Sequence, residues 1–232
     1  MASKRAARHA GNLRLIAGNL ALDFANTADW HDTGTPREFL VDYDALLDWS
    51  VHAGLADRAH AVQIAAAAAK VPNQARAALR LGLDLREAIF RIFRSIANGG
   101  SIALHDLAQL NRVLASPKHR CVVTRDRSEF ALQPAEDGTR RDFMMGPLAW
   151  SAAALLTSPH LDRLKMCEAA GCGWLFLDMS RKVNRRWYSM EDCGNREKRR
   201  RWVRRAAAKT KARTAITKRF IIKTRIARHS SG

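Results

Sequence analysis

The 232-residue chain has no continuous apolar run approaching the roughly 20 residues that cross a bilayer, so no membrane partner is expected. Met1–Gly18 mixes charges with small residues and lacks the apolar core of a secretory leader, and a cytoplasmic location follows. Cysteine is scarce. The four residues Cys121, Cys167, Cys172 and Cys193 read, in a reducing compartment, as thiols or ligands rather than a disulfide framework. A Gly-rich phosphate loop, a nucleophile elbow and a His/Glu metal pair of recognisable spacing are all missing, so no enzymatic activity is expected. Acidic residues are in short supply in one region. Leu161–Gly232 carries 21 Lys+Arg against 6 Asp+Glu, whereas Met1–His160 carries 19 against 16. A near-neutral domain joined to a cationic module implies a polyanionic partner, with nucleic acid ahead of an anionic membrane.

What is present is mostly helical. Phe39, Leu40, Tyr43, Leu46, Leu47 and Trp49 recur at helical spacing, and Thr35 before Pro36 predicts a helix from about Pro36 to His52. Ala59–Lys70, Gln74–Ala97, Ser101–Leu114 and Gly146–Leu156 predict further helices, the second with one broad apolar face closed by Gly99-Gly100. Cys121–Val123 and Phe130–Leu132 flank a charged turn and predict a small β-hairpin, with Cys121 a core residue. The fold class expected is α+β: a mainly helical domain over residues 1–158, a compact cysteine module over 159–208 and a basic tail over 209–232. Asp23, Asn26 and Thr27 are polar groups inside an apolar run; they suit either a small ligand pocket or, better, caps and an internal hydrogen-bond network.

The module is the informative part. Cys167 and Cys172 are five apart, with Gly171 and Gly173 beside the second, and small residues let backbone amides turn toward thiolate sulfur. Trp174, Phe176 and Asp178 alternate like a strand, Lys182–Asn184 can turn, and Arg186-Trp187-Tyr188 can return to pair with it. Asp178 is read as an orienting partner for Arg185 or Arg186. Cys193 then precedes a polar, helix-forming run. A knuckle, a hairpin and a ligand at a helix start make a zinc-finger-like site with Cys167, Cys172 and Cys193 as metal ligands. The position five before Cys193 holds Tyr188, and the segment contains no histidine; His160 lies just upstream.

These residues resemble the CGNR zinc finger: the Cys167-x4-Cys172 knuckle, Trp174-x-Phe176-x-Asp178-x-Ser180, Arg185-Arg186-Trp187 and the tetrapeptide Cys193-Gly194-Asn195-Arg196. The resemblance implies Zn(2+) as cofactor and a fourth cysteine where Tyr188 stands. Leu22–Thr27, Tyr43–Trp49 and Leu85–Phe90 resemble the ABATE domain, which precedes such fingers in stress-induced bacterial regulators. Together they imply a DNA-binding transcription regulator, nucleoid-associated, whose N-terminal domain senses a small-molecule effector or forms a homodimer; an RNA-binding or ribosome-associated protein is the alternative, ahead of an enzyme. The residues expected to touch nucleic acid, double-stranded DNA first, are Arg181, Lys182, Arg185, Arg186, Arg196, Lys198, Arg199 and Arg200. Trp202 and Val203 are expected to give the last helix an apolar side. Lys209–Arg228 is expected to add non-specific phosphate attraction.

Overall fold

A computed structural model describes residues 7–29, 31, 36–126, 129–135, 140–208 and 210. The chain separates into two compact units, Met1–Tyr188 and Ser189–Gly232. In the first, helices α1 (Leu20–Ala25), α2 (Tyr43–His52), α3 (Arg58–Ala69), α4 (Pro72–Ala97), α5 (Leu104–Leu114) and α6 (Met145–Leu156) surround one apolar core. Each start has a chemical cause. Asn19, Asp42 and Asp57 accept backbone N–H bonds from the first turns of α1, α2 and α3, and Pro72 opens α4 at the position where a missing N–H costs nothing. The central α4 turns its Leu85, Ala88, Ile89, Ile92 and Phe93 inward against Leu22, Phe24, Leu46 and Trp49.

The helix expected from Pro36 begins later, at Tyr43, and Thr35 lies outside the described residues. Arg37–Glu38 is instead β2, paired antiparallel with β1 (Ala28–Asp29). The reason lies in Glu38. Its carboxylate takes two bonds from the buried Arg86 guanidinium, at 2.6 and 2.7 Å, and one from Leu40 N–H at 2.7 Å, which holds the chain extended until Asp42 caps the helix.

β3 (Cys121–Asp126) and β4 (Glu129–Pro134) form the expected hairpin. Cys121 is half-buried, with its sulfur set against Gly146 of α6, where an added Cβ would lie 2.9 Å from it. The first unit continues through Pro159 into β5 (Leu164–Met166) and β6 (Leu175–Leu177), an antiparallel hairpin packed on α1 and α4. Its strands flank the cysteine knuckle. The sequence-based pairing of Trp174–Asp178 with Arg186–Tyr188 does not form. The groups needed for a ladder are already engaged: Asp178 accepts Arg185 N–H at 2.7 Å, and Lys165 Nζ donates to the carbonyls of Val183 at 2.6 Å and Arg185 at 3.3 Å.

In the second unit a single π turn, Met190–Gly194, capped by the Ser189 hydroxyl on Asp192 N–H, leads into helix α7 over residues 195–208. The predicted tail Lys209–Arg228 falls outside the described residues apart from Thr210.

Candidate metal centre and nucleic-acid interface

The knuckle turns tightly. Gly171 and Gly173 both take left-handed backbone angles, φ 71° and 70°, which side chains rarely tolerate, and so bracket Cys172. Cys167 N–H donates to the Trp174 carbonyl at 2.8 Å and Cys172 N–H to Ala169 at 3.0 Å, closing the loop. The Sγ atoms of Cys167, Cys172 and Cys193 lie within 4.8 Å of one another, and all three residues are buried. A tetrahedral zinc with Zn–S bonds of about 2.3 Å separates its sulfurs by about 3.8 Å, so the three thiols fit Zn(2+) with little adjustment. The Arg196 guanidinium stands 3.8 Å from the Cys193 sulfur. Among the described residues no His, Asp or Glu joins this group, and His160 is exposed.

A family model described as "Putative stress-induced transcription regulator", ABATE, matches residues 18–159, and the CGNR zinc finger matches residues 163–206. The chain belongs to the ABATE family. It carries a CGNR finger after the ABATE domain, and no curated protein matches it. Both matched families are regulator and zinc-finger types rather than enzymes.

In this ABATE–CGNR chain the residue at the missing cysteine has another task. Tyr188 is buried, and its ring meets Trp174 edge-on with centroids 4.7 Å apart. Its hydroxyl accepts Ile16 N–H at 3.2 Å, and its single proton lies between two acceptors, the Arg14 carbonyl and the Asp23 carboxylate. Burial pushes the phenol well above its usual pKa. Burial likewise raises Asp23 to about 6, against the bonds from Ala17 N–H and Tyr188 that favour its anion. The polar run of α1 is also spoken for. The buried Asn26 amide donates to the Leu175 carbonyl and accepts Leu175 N–H, both at 2.9 Å, while Thr27 Oγ1 donates to Phe24 O at 2.8 Å. Of the two readings of Asp23, Asn26 and Thr27, the internal network is the one formed. It fastens the β5–β6 hairpin to the start of the ABATE domain, together with Trp174 Nε1 on the Ala28 carbonyl (2.8 Å) and Leu177 N–H on Ala17 (2.8 Å).

Asp178 is fully buried. Burial alone would raise its pKa, but Lys165 Nζ at 2.7 Å, the Ser180 hydroxyl at 2.5 Å and Arg185 N–H hold it far below the usual carboxylate range. It orients the backbone of Arg185, not the guanidinium. That guanidinium donates to the carbonyls of Trp187 and Tyr188 and lies 4.5 Å over the Phe176 ring, so it is occupied within the fold. Arg186 pairs with Glu168 at 2.5 Å, an exposed contact. Arg181 and Lys182 stand exposed in the turn after Ser180. In the second unit Arg196, Lys198, Arg199 and Arg200 are all exposed on α7, Arg200 with Glu197 at 3.4 Å. Trp202 and Val203 do not pack: they are 70% and 52% exposed. Sequence reasoning passed over Arg201, Arg204 and Arg205, exposed on the same helix, and over the structural role of Tyr188. The spacing of basic residues after Cys193 was signal enough for the first; nothing local announces the second.

Proposed function

We propose that this ABATE–CGNR protein is a transcription regulator that binds double-stranded DNA through α7 and the finger, with Cys167, Cys172 and Cys193 holding a structural zinc. The observation that carries the reading is the row of exposed cations, Arg196, Lys198, Arg199 and Arg200, on a helix that starts directly after a candidate ligand. A bound zinc would fix Cys193 and hence the direction in which this row points. Arginine forks there match phosphate or the guanine edge. Arg181 and Lys182 supply further phosphate contacts, whereas Arg185 serves the fold. Within the ABATE domain a small-molecule effector or a second copy would bias the regulator.

Selection of bound duplex from a random pool, followed by titration at several salt concentrations, tests this. Removing the chain from Lys209 onward should weaken all sequences alike and flatten the salt dependence by about 0.9 in slope per lost phosphate contact. Arg196→Ala should instead cost about 1–3 kcal/mol at the preferred site only. A native chain that binds neither specific nor scrambled duplex overturns the proposal.

A further inference from the structure

The outward side of α7 carries more than phosphate-binding cations. Among the described residues of α7 only Glu197 is not exposed, its side chain 15% exposed. Trp202 follows Glu197 by five positions, about 140° further round an α-helix. Its indole therefore faces solvent and is 70% exposed. Residues three and four apart are helical neighbours, so the indole is framed by Lys198 and Arg199 one turn before and by Arg205 and Ala206 one turn after. All three cations are exposed. A large apolar ring left in water among cations does not suit an apolar protein groove, because each cation buried with it would lose hydration without a partner. It suits a ligand that offers an aromatic face with anions on either side. Unstacked nucleobases flanked by their phosphates are such a ligand. In an intact duplex each base face is covered by its neighbours, so the indole finds a partner only where bases are unpaired or splayed.

We infer that α7 recognises nucleic acid with unpaired bases: Trp202 stacks on one base while Lys198, Arg199 and Arg205 hold the adjoining phosphates. This rests on the proposed nucleic-acid binding and sharpens it, from duplex DNA in general to melted or single-stranded stretches within it.

The test uses the full chain and three fluorescently labelled DNAs of one sequence: a fully paired duplex, the same duplex with a central unpaired bubble, and the single strand. The native protein should prefer the bubble and the single strand. Trp202→Ala should weaken those two by roughly five- to a hundredfold, the range for one base–aromatic stack, while Trp202→Phe keeps most of the affinity. Binding to the paired duplex and the salt slope on all three should stay as they are, because no charge is removed. Far-ultraviolet circular dichroism confirms that both variants keep α7. Equal affinity for paired and bubbled duplex, or an equal loss on both in Trp202→Ala, overturns the stacking while leaving duplex binding in place. Failure to bind any of the three DNAs overturns the proposed function itself. Trp202-dependent binding to phosphatidylserine vesicles without preference among the DNAs assigns the helix to a membrane surface and overturns the inference.

Discussion

Replacing Tyr188 by Phe isolates one oxygen atom. The ring and its edge-on contact with Trp174 survive, so no cavity term enters. What is lost is the acceptor for Ile16 N–H at 3.2 Å and the one proton that the Arg14 carbonyl and the Asp23 carboxylate share. Two neutral hydrogen bonds are worth about 0.5–1.5 kcal/mol each, so the expected loss is about 1–3 kcal/mol. In a unit of this size about 2 kcal/mol lowers Tm by about 4–8 °C. The loss should also depend on pH. Tyr188 favours the Asp23 anion, and Asp23 titrates near 6. The penalty should therefore be larger at pH 7.5, where the anion must be held, than at pH 5, where Asp23 keeps its proton. Urea unfolding of native protein and Tyr188→Phe at both pH values measures this. A variant within about 0.5 kcal/mol of native at pH 7.5 refutes the reasoning, since that is the scatter of substitutions that touch nothing of consequence. A penalty independent of pH would leave the two backbone bonds standing and remove Asp23 from the account.

Two further outcomes follow from the same geometry. Asp23 is raised from its ordinary 3.8 to about 6, so the folded chain keeps a proton that the unfolded chain releases; stability from this group is highest below pH 4 and falls by about 3 kcal/mol as pH rises through 4–6. Asp23→Asn should abolish that part of the decline, seen as a flatter difference in urea midpoints between pH 4 and 7, and an unchanged slope would disprove it. Tyr188→Cys places a fourth thiol five residues before Cys193 but removes a buried aromatic, so the zinc-free variant should lose about 3–5 kcal/mol. Zinc should then raise its Tm by more than it raises that of the native chain, because closing a structural site adds folding free energy; calorimetry with and without chelator decides, and equal shifts would count against a fourth ligand at 188.

Much of this was readable beforehand, and the exceptions share a cause. Helix α4 and the knuckle are local: an apolar period of 3.6 residues, and a Cys-x4-Cys flanked by glycines, specify themselves within a few turns of chain. The strand at Arg37–Glu38 was misjudged as helix because Phe39 and Leu40 fit a helical period, while the deciding partner, Arg86, stands 48 positions away. The sequence pattern places the hairpin partner of β6 downstream, whereas it lies upstream, because Lys165 and Asp178 claim the downstream groups. Arg185 looked like a free cation for the same reason: its acceptors are backbone carbonyls, which leave no mark in composition. Patterns report what a residue is; long-range polar partners decide what it is free to do.

The Asn26–Leu175 pair joins residues 149 positions apart, and Tyr188 reaches back 174 positions to Arg14. On a ribosome the first of each pair emerges long before the second has been made. During that interval the start of the ABATE domain holds an amide and backbone groups whose partners do not yet exist, and burying them would be costly. These bonds can therefore form only after the finger hairpin has appeared. A chain cut short before Leu175 would leave Asn26 without its partner, and one cut between Leu177 and Tyr188 would keep that pair but leave Ile16 N–H and the Arg14 carbonyl without theirs.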